Sequence, residues 1–285
     1  MGFPGHGAVG ILMVFLSLAG LLKDLSQYLR CKIQEKKSNG TVSVPCYRNL
    51  PAIPLFMLVI FVFVFGLALG STYARFTDPT DGRFTAEAVI NLQHASMFGP
   101  FIILSMVKLI IWKGWYVPRG VDDVITAISL SWGAFIITSE QNQAEYADLI
   151  HKLPANLLYL TAVMCLLEFV TAYTSRVVSI LKGYFLLCFG TWYIQSNYIP
   201  YRNMYLGEVP DPEWNHVDET IIGELILSLF GCHLILGQVI IGLLYSLLHS
   251  SYSRCEGNLH SSYSRREGDA AAEADHHTEI ILYER

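Results

Sequence analysis

Three residues that could take part in chemistry share one face of a predicted helix. Glu87, Asn91 and His94 are separated by four and three positions, and residues at these spacings are neighbours on a helix surface. At about 1.5 Å of rise per residue, His94 lies roughly 10 Å along the helix from Glu87. Carboxylate and imidazole are ordinary zinc ligands. The stripe is therefore a candidate for binding a metal or for coordinating a passing ion or proton.

This stripe lies in a chain dominated by long uncharged segments. Between Arg48 and Arg75 there are 26 consecutive residues without Asp, Glu, Lys or Arg, and a helix of about 20 apolar residues crosses a bilayer core. The chain is 53% hydrophobic and only 15% charged, whereas soluble domains carry about 25% charged residues. A chain of this size cannot bury so many apolar helices inside itself, so the sequence predicts a polytopic membrane protein.

Seven segments pass this test. We expect an all-α bundle of seven transmembrane helices within residues 1–248, and we expect the first segment to stay as a helix, because no basic residue precedes its apolar region as in a signal peptide. The predicted helices cover residues 7–29, 52–71, 87–112, 121–139, 149–173, 177–198 and 220–248.

The basic residues predict the orientation of the bundle. When each is assigned to the nearer helix end, 15 of the 19 fall on one side, and the side rich in Lys and Arg is cytoplasmic. The N-terminus is then outside or lumenal and the C-terminus is cytoplasmic. The sequon Asn39-Gly40-Thr41 falls in the first cytoplasmic loop, where it should remain without a glycan. The sequence does not distinguish the plasma membrane from an internal membrane.

In this orientation, polar residues of six helices gather in the outer half of the membrane. Ionisable groups at membrane depth are costly and usually face the bundle interior or a wet cavity, so we expect a polar cavity that opens outward. We call its candidate residues the outer polar cluster. They are His6, Glu87, Asn91, His94, Glu140, Asp148, His151, Gln195 and His233.

Several functions fit the outer polar cluster. A membrane-embedded hydrolase would hold zinc with His94, His151 and His233, together with Glu87, and use it to activate water. An ion or proton conductor would use the same residues. Helix-to-helix hydrogen bonds are the plainer alternative. The chain has no His-Glu-x-x-His, no paired Cys-x-x-Cys and no nucleotide motif, so we assign no catalytic residue and no required cofactor. Glu168 and Gln238 are interpreted as isolated packing contacts.

The C-terminal segment contains an internal duplication. Residues 248–258 recur with few changes as residues 259–269, and the stretch has little apolar content. We therefore predict that residues 249–285 form a disordered cytoplasmic tail. The expected partners are the lipid bilayer and cytoplasmic proteins that contact this tail, and nothing in the sequence points to nucleic acid.

The order of several short motifs carries a family resemblance. The chain resembles the transmembrane protein 45 family, multi-pass membrane proteins with a domain of unknown function, over about residues 5–248. The resemblance implies the seven-helix architecture but no settled activity. The motifs are Gly5-His6, Gln93-His94, Ala134-Phe135-Ile136, Asp148 with His151, Gly190-Thr191-Trp192 with Gln195, and Cys232-His233.

The chain departs from this family at the outer end of the fourth helix. Where the family carries a His-x-His pair followed by Gly-Arg-Glu, residues 140–145 read Glu-Gln-Asn-Gln-Ala-Glu, and only Glu145 is retained. The departure would remove two ligands from any metal site at this position. Seven helices also suggest a G-protein-coupled receptor, but the third helix ends without an Asp-Arg-Tyr-like triplet and the seventh lacks an Asn-Pro-x-x-Tyr-like segment.

Overall fold

The elements of the computed structural model are helices. The structure describes residues 3–37, 57–62, 65–66, 77, 82–83, 85–139, 145–171, 174–196 and 219–283. Six helices contain a stretch long and apolar enough to cross a membrane, which makes the chain a multi-pass membrane protein in architecture. The helices are α1 (Phe3–Lys37), α2 (57–62), α3 (Ala86–Trp112), α4 (Val121–Ser139), α5 (Glu145–Val170), α6 (Arg176–Gln195) and α7 (Glu219–Tyr283).

The helix bounds agree with the predicted segments at both ends for α3 and α4 and differ by three or more residues at one or both ends of α1, α5, α6 and α7. α4 coincides with its segment, and α3 begins one residue early, at Ala86, where the side chain of Thr85 accepts a hydrogen bond from the Ala88 backbone N–H. α1 continues eight residues beyond the predicted end at 29. For the second segment, the helical residues 57–62 and 65–66 lie inside the predicted range 52–71. The other residues of that range lie outside the described part of the chain.

The last helix is longer than the sequence indicates. α7 runs without interruption to Tyr283, so residues 249–283 are helical where composition predicts a disordered tail. The run Ala270-Ala271-Ala272-Glu273 consists of strong helix formers, which accounts for local helix without a packed core. The apolar part of α7 covers Thr220–Arg254.

Along the series α1, α6, α5, α4 and α3, neighbouring helices are antiparallel. α7 is antiparallel to α6 and therefore parallel to α1 and α5. α1 packs along α6, α6 along α5, α5 along α4, and α4 along α3, while α7 contacts α1, α5 and α6. The contacts that fix the directions are Gly10 with Ile194, Leu21 with Gly183, Ile150 with Trp192, Glu168 with Ser179, Phe169 with Gly120, Lys108 with Asp122, Gln93 with Ser139, and Tyr184 with Leu234.

These directions constrain the path of the chain between α1 and α3. Since four antiparallel steps separate α1 from α3, the two helices run the same way, and the chain must return to the opposite end of the bundle between residues 37 and 86. α2 lies in this interval. Its Phe61 is almost fully buried and packs on α3, with ring centroids 5.1 Å from Phe101 and 6.4 Å from Phe98.

The closest helix contact is between α1 and α6. A Cβ atom on Gly190 would lie 2.8 Å from the backbone N of Val14 and 2.9 Å from the carbonyl oxygen of Gly10, and a Cβ on Gly10 would lie 2.9 Å from the carbonyl oxygen of Gly190. Only glycine on both helices permits this backbone-to-backbone approach. α1 is thereby packed into the bundle rather than beside it.

The middle of the bundle is filled with apolar side chains. The core contains side chains from each of the six helices α1 to α6. Among its largest buried members are Phe98, Phe101, Leu130, Leu158 and Phe189. Interiors of this kind are packed as densely as organic crystals, so these side chains hold the polar groups at the two bundle ends apart.

Candidate functional site

Charged residues of five helices meet at one end of the bundle. α1, α3 and α5 approach this end with their C-terminal halves, and α4 and α6 begin there. We call these residues the charged cluster. It contains four basic and four acidic residues and has no formal net charge; they are Lys23, Asp24, Lys108, Asp122, Asp123, Glu168, Arg176 and Lys182.

An ion pair between α5 and α6 is the centre of the charged cluster. The Oε2 atom of Glu168 pairs with Nζ of Lys182, and the hydroxyl of Ser179 donates a hydrogen bond to Oε1 at 2.5 Å. The Glu168 side chain is 9% exposed and that of Lys182 28%. Both carboxylate oxygens therefore have partners, as burial of a charge requires. The interpretation of Glu168 as an isolated packing residue is wrong, because its partner lies on the next helix, 14 residues along the chain.

The other members connect further helices to this pair. Asp24 of α1 lies within electrostatic range of Lys182, Glu168 and Arg176. Arg176 donates a hydrogen bond from Nη1 to Oε1 of Gln27, also on α1, at 3.4 Å. The charged cluster thus ties α1 to the α5–α6 pair through side chains that are all polar.

A second ion pair closes the α3–α4 side of the charged cluster. Nζ of Lys108 lies 3.1 Å from Oδ2 of Asp122, with both side chains about a third exposed. Asp123, the next residue, is buried, and the fully buried Cys165 of α5 lies near Asp123 and Lys182. The charged cluster is therefore a set of charge-compensated contacts that link the helices at this end of the bundle.

The outer polar cluster lies at the opposite end, and the structure describes part of it. Asp148 forms an ion pair with Lys152 one helical turn away, at 3.1 Å and well exposed. His151 is buried on α5, while Gln195 and His233 are half-buried on α6 and α7.

The remaining predicted members have no described side chains. Glu140 falls between α4 and α5, outside the described residues. For the other four members only the helical backbone is described; they are His6 of α1 and Glu87, Asn91 and His94 of α3. The distances between these side chains therefore do not enter the description of the site.

Trp192 lies at the centre of the described part of the end that holds the outer polar cluster. Trp192 is fully buried and donates a hydrogen bond from Nε1 to the Ile150 carbonyl at 3.2 Å. Its ring meets the His233 ring edge-on, with centroids 5.6 Å apart. Ile222 and Ile226 of α7 complete an apolar cluster around it. Where α5, α6 and α7 meet, this end is filled by apolar side chains rather than lined by polar ones.

His233 is polar but incompletely bonded. Its Nδ1 atom is buried and has no hydrogen-bond partner among the described residues. The adjoining contacts between α6 and α7 use backbone carbonyls instead: Tyr184 donates to Leu234 at 3.0 Å, and the Cys188 thiol lies 3.7 Å from the His233 carbonyl oxygen. Within the described side chains, no group of three His, Cys, Asp or Glu residues is arranged to hold a metal ion.

Sequence reasoning missed the charged cluster for a specific reason. Lys23, Lys108 and Lys182 mark the ends of uncharged segments, so each is read as a boundary of a span rather than as a partner within the bundle. The available signal was the position of Lys182, about two turns inside an apolar helix, together with Glu168 two residues before the end of the preceding helix.

Comparison with known proteins adds no assignment. No family model matches the chain, and no curated protein matches it either.

Proposed function

We propose that this chain is an integral membrane protein of seven crossings, with its N-terminus outside or lumenal and its C-terminus cytoplasmic. The parallel direction of α1 and α3 supports an additional crossing between them, because the chain has to change ends in that interval. The apolar sequence around α2 and the burial of Phe61 against α3 make α2 the natural place for it.

The distribution of described basic residues supports this orientation. Among the basic residues with described side chains, seven lie at the end that holds the charged cluster, whereas Arg83 and Lys152 lie at the other end, and Lys and Arg favour the cytoplasmic side. The seven are Lys23, Lys108, Lys113, Arg119, Arg176, Lys182 and Arg254.

Membership of the transmembrane protein 45 family is part of the proposal. Three of the motif positions behind the resemblance have packing roles. Gly190 lies at the α1–α6 contact, Trp192 lies at the centre of the apolar cluster between α5, α6 and α7, and His233 packs against the Trp192 ring. Motifs that hold a bundle together are expected to persist among proteins that share its architecture.

We further infer that the protein is a non-enzymatic membrane component that works through its surfaces and through an outward-facing polar cavity away from the α5–α6–α7 junction, which apolar side chains fill. The observation that carries this is the contact of His233, one of the three candidate zinc ligands, with Trp192: the two rings meet edge-on, with centroids 5.6 Å apart. Packing against an aromatic ring is a structural role for this imidazole. The bilayer and cytoplasmic proteins that meet the extension of α7 are the proposed partners.

Metal analysis tests the non-enzymatic proposal against a zinc hydrolase. We expect detergent-purified wild type and His94→Ala to carry the same substoichiometric amount of zinc. One zinc per wild-type chain, lost in His94→Ala, would contradict the proposal. Asp148→Asn serves as the control, because it removes an exposed carboxylate from the same end of the bundle.

Ion or proton conduction is the second candidate, favoured by the buried Nδ1 atom of the half-buried His233, which has no hydrogen-bond partner among the described residues. Proteoliposomes with an imposed proton gradient distinguish the two. We expect wild type and His233→Phe to leak at the rate of empty liposomes. A leak that His233→Phe abolishes would establish conduction instead.

A further inference from the structure

The loop between α3 and α4 displays aromatic and basic side chains together. Trp115 and Tyr116 are 70% and 92% exposed, and Trp112 at the end of α3 is also exposed. Nζ of Lys113 lies 6.0 Å from the Trp112 ring centroid, within the range of a cation–π contact. Large aromatic rings are rarely left in water at such exposure, so a partner for this surface has to be identified.

The backbone of this loop is fixed. Gly114 and Gly120 both adopt positive φ, at 82° and 85°, a conformation that glycine accepts without steric cost. The Trp115 N–H donates to the Ile110 carbonyl at 3.3 Å. At the other end of the loop, the ring of Phe169 from α5 packs directly on Gly120. The backbone that carries the exposed rings is therefore held in place at both ends of the loop.

The position of the loop restricts its surroundings. It joins the last residue of one apolar helix to the first residue of the next over eight residues, and both helices are long enough to cross a membrane. The loop must then lie at the membrane surface, where Trp and Tyr are favoured because their rings are amphipathic. Residues 113–120 contain two basic residues, Lys113 and Arg119, and no acidic one.

We propose that residues 112–119 bind the headgroups of anionic phospholipids in the leaflet at the charged-cluster end. The aromatic rings enter the interfacial layer, and the ammonium of Lys113 and the guanidinium of Arg119 contact phosphate and carboxylate groups. Each basic side chain near an anionic surface contributes about a fivefold gain in affinity. This inference rests on the membrane crossing of α3 and α4 but not on which side of the membrane the loop faces.

Fluorescence quenching in proteoliposomes tests the proposal. The bilayers contain either phosphatidylserine or phosphatidylcholine brominated near the headgroup, and the Trp115 signal is obtained by subtracting Trp115→Phe from wild type. We expect stronger quenching by the brominated phosphatidylserine. In the K113Q/R119Q variant the two lipids should quench Trp115 equally, because the attraction to the anionic headgroup is removed.

Two controls accompany this measurement. Lys152→Gln removes a basic residue at the opposite end of the bundle and should leave the preference unchanged. Trp132 lies in the middle of α4. Its signal, obtained by subtracting Trp132→Phe from wild type, should be quenched equally by both lipids.

Three outcomes would overturn the proposal. Equal quenching of Trp115 in wild type would show a loop at the interface without headgroup preference. If phosphatidylserine still quenches Trp115 more strongly in K113Q/R119Q, the preference arises from residues other than Lys113 and Arg119. Quenching by neither lipid would mean that protein covers the loop. None of these results bears on the number of crossings, which glycosylation mapping tests separately.

Discussion

At the residue scale, the ion pair between Glu168 and Lys182 is the most consequential contact. Moving a charge out of water is unfavourable, and a buried pair offsets that cost only when its geometry and hydrogen bonds are nearly complete. Here the two carboxylate oxygens have separate partners, Lys182 and Ser179. The pair is therefore expected to add little net stability, but loss of one partner would leave the other charge buried and unpaired.

Replacing Glu168 with Gln should destabilise the bundle. The change leaves the largely buried Lys182 ammonium without its principal counter-charge, and we expect a loss of about 3 kcal/mol in the free energy of unfolding. Reversible unfolding in mixed micelles measures it. The double variant Glu168→Gln with Lys182→Met removes both charges and should recover most of the loss.

The exposed pair at the other end of the bundle provides the matched control. Asp148→Asn breaks the ion pair with Lys152, and the two side chains are 36% and 58% exposed, respectively. Because exposed pairs contribute little, we expect a change below about 0.5 kcal/mol. Equal losses for Glu168→Gln and Asp148→Asn would show that burial does not distinguish the two pairs.

Trp192 gives a second prediction at this scale. Trp192→Ala removes a fully buried ring and its hydrogen bond to the Ile150 carbonyl, and we expect a loss of about 3–5 kcal/mol in unfolding free energy. Trp115→Ala is the control. Its ring is mostly exposed, so in detergent the variant should unfold within about 0.5 kcal/mol of wild type.

At the element scale, the contact between α1 and α6 depends on glycine. Gly190→Ala should gain about 1 kcal/mol of helix propensity. Its new methyl group would lie 2.8 Å from the Val14 backbone N, and backbone cannot move aside as a flexible side chain can. We expect a net loss of about 1–3 kcal/mol, measured by the same unfolding assay.

α7 supplies the control for this change. A Cβ on Gly231 has no atom of the described structure within 4 Å, so Gly231→Ala should be neutral or slightly stabilising through helix propensity. If both variants lose stability equally, the close contact between α1 and α6 is not the cause.

The sequence predicts these elements well where apolar length decides the structure. The segments that became α3, α4 and α6 were found from the long uncharged run that each of them contains. The sequence predicts less of the structure where the decisive contact lies between helices. The partners Glu168 and Lys182 are separated by a turn and 14 positions, and no periodicity within either helix reveals that they meet.

The outer polar cluster shows a further limit of sequence reasoning. Helical spacing places Glu87, Asn91 and His94 on one face, but it does not reveal what lies opposite. At the described part of that end, His233 lies against Trp192, which packs with isoleucines of α5 and α7. The size of an aromatic ring on α6, rather than the polarity of α5 and α7, decides how this part of the bundle is filled.

At the whole-molecule scale, α7 differs from the other spans. Only 11% of the residues in its most apolar window are buried, against 28–44% in the other five spans. In a membrane this surface contacts lipid, and the helix continues past the apolar stretch to Tyr283. The extension is therefore available to cytoplasmic partners in the proposed orientation.

Glycosylation mapping decides whether the chain crosses the membrane seven times. The chain carries a natural sequon at Asn39, between α1 and α2. A second acceptor is obtained at Asn203 by the single substitution Tyr205→Thr, which completes an Asn-x-Thr sequon in the segment that joins α6 to α7. In the proposed orientation this segment faces the lumen during synthesis, whereas Asn39 faces the cytosol.

We expect a glycan at Asn203 of the Tyr205→Thr variant and none at Asn39, as seen by a mobility shift that glycosidase reverses. A glycan on Asn39 with none at Asn203 would invert the orientation. Glycans at both sites, or at neither, would place the two loops on the same side of the membrane and contradict seven crossings.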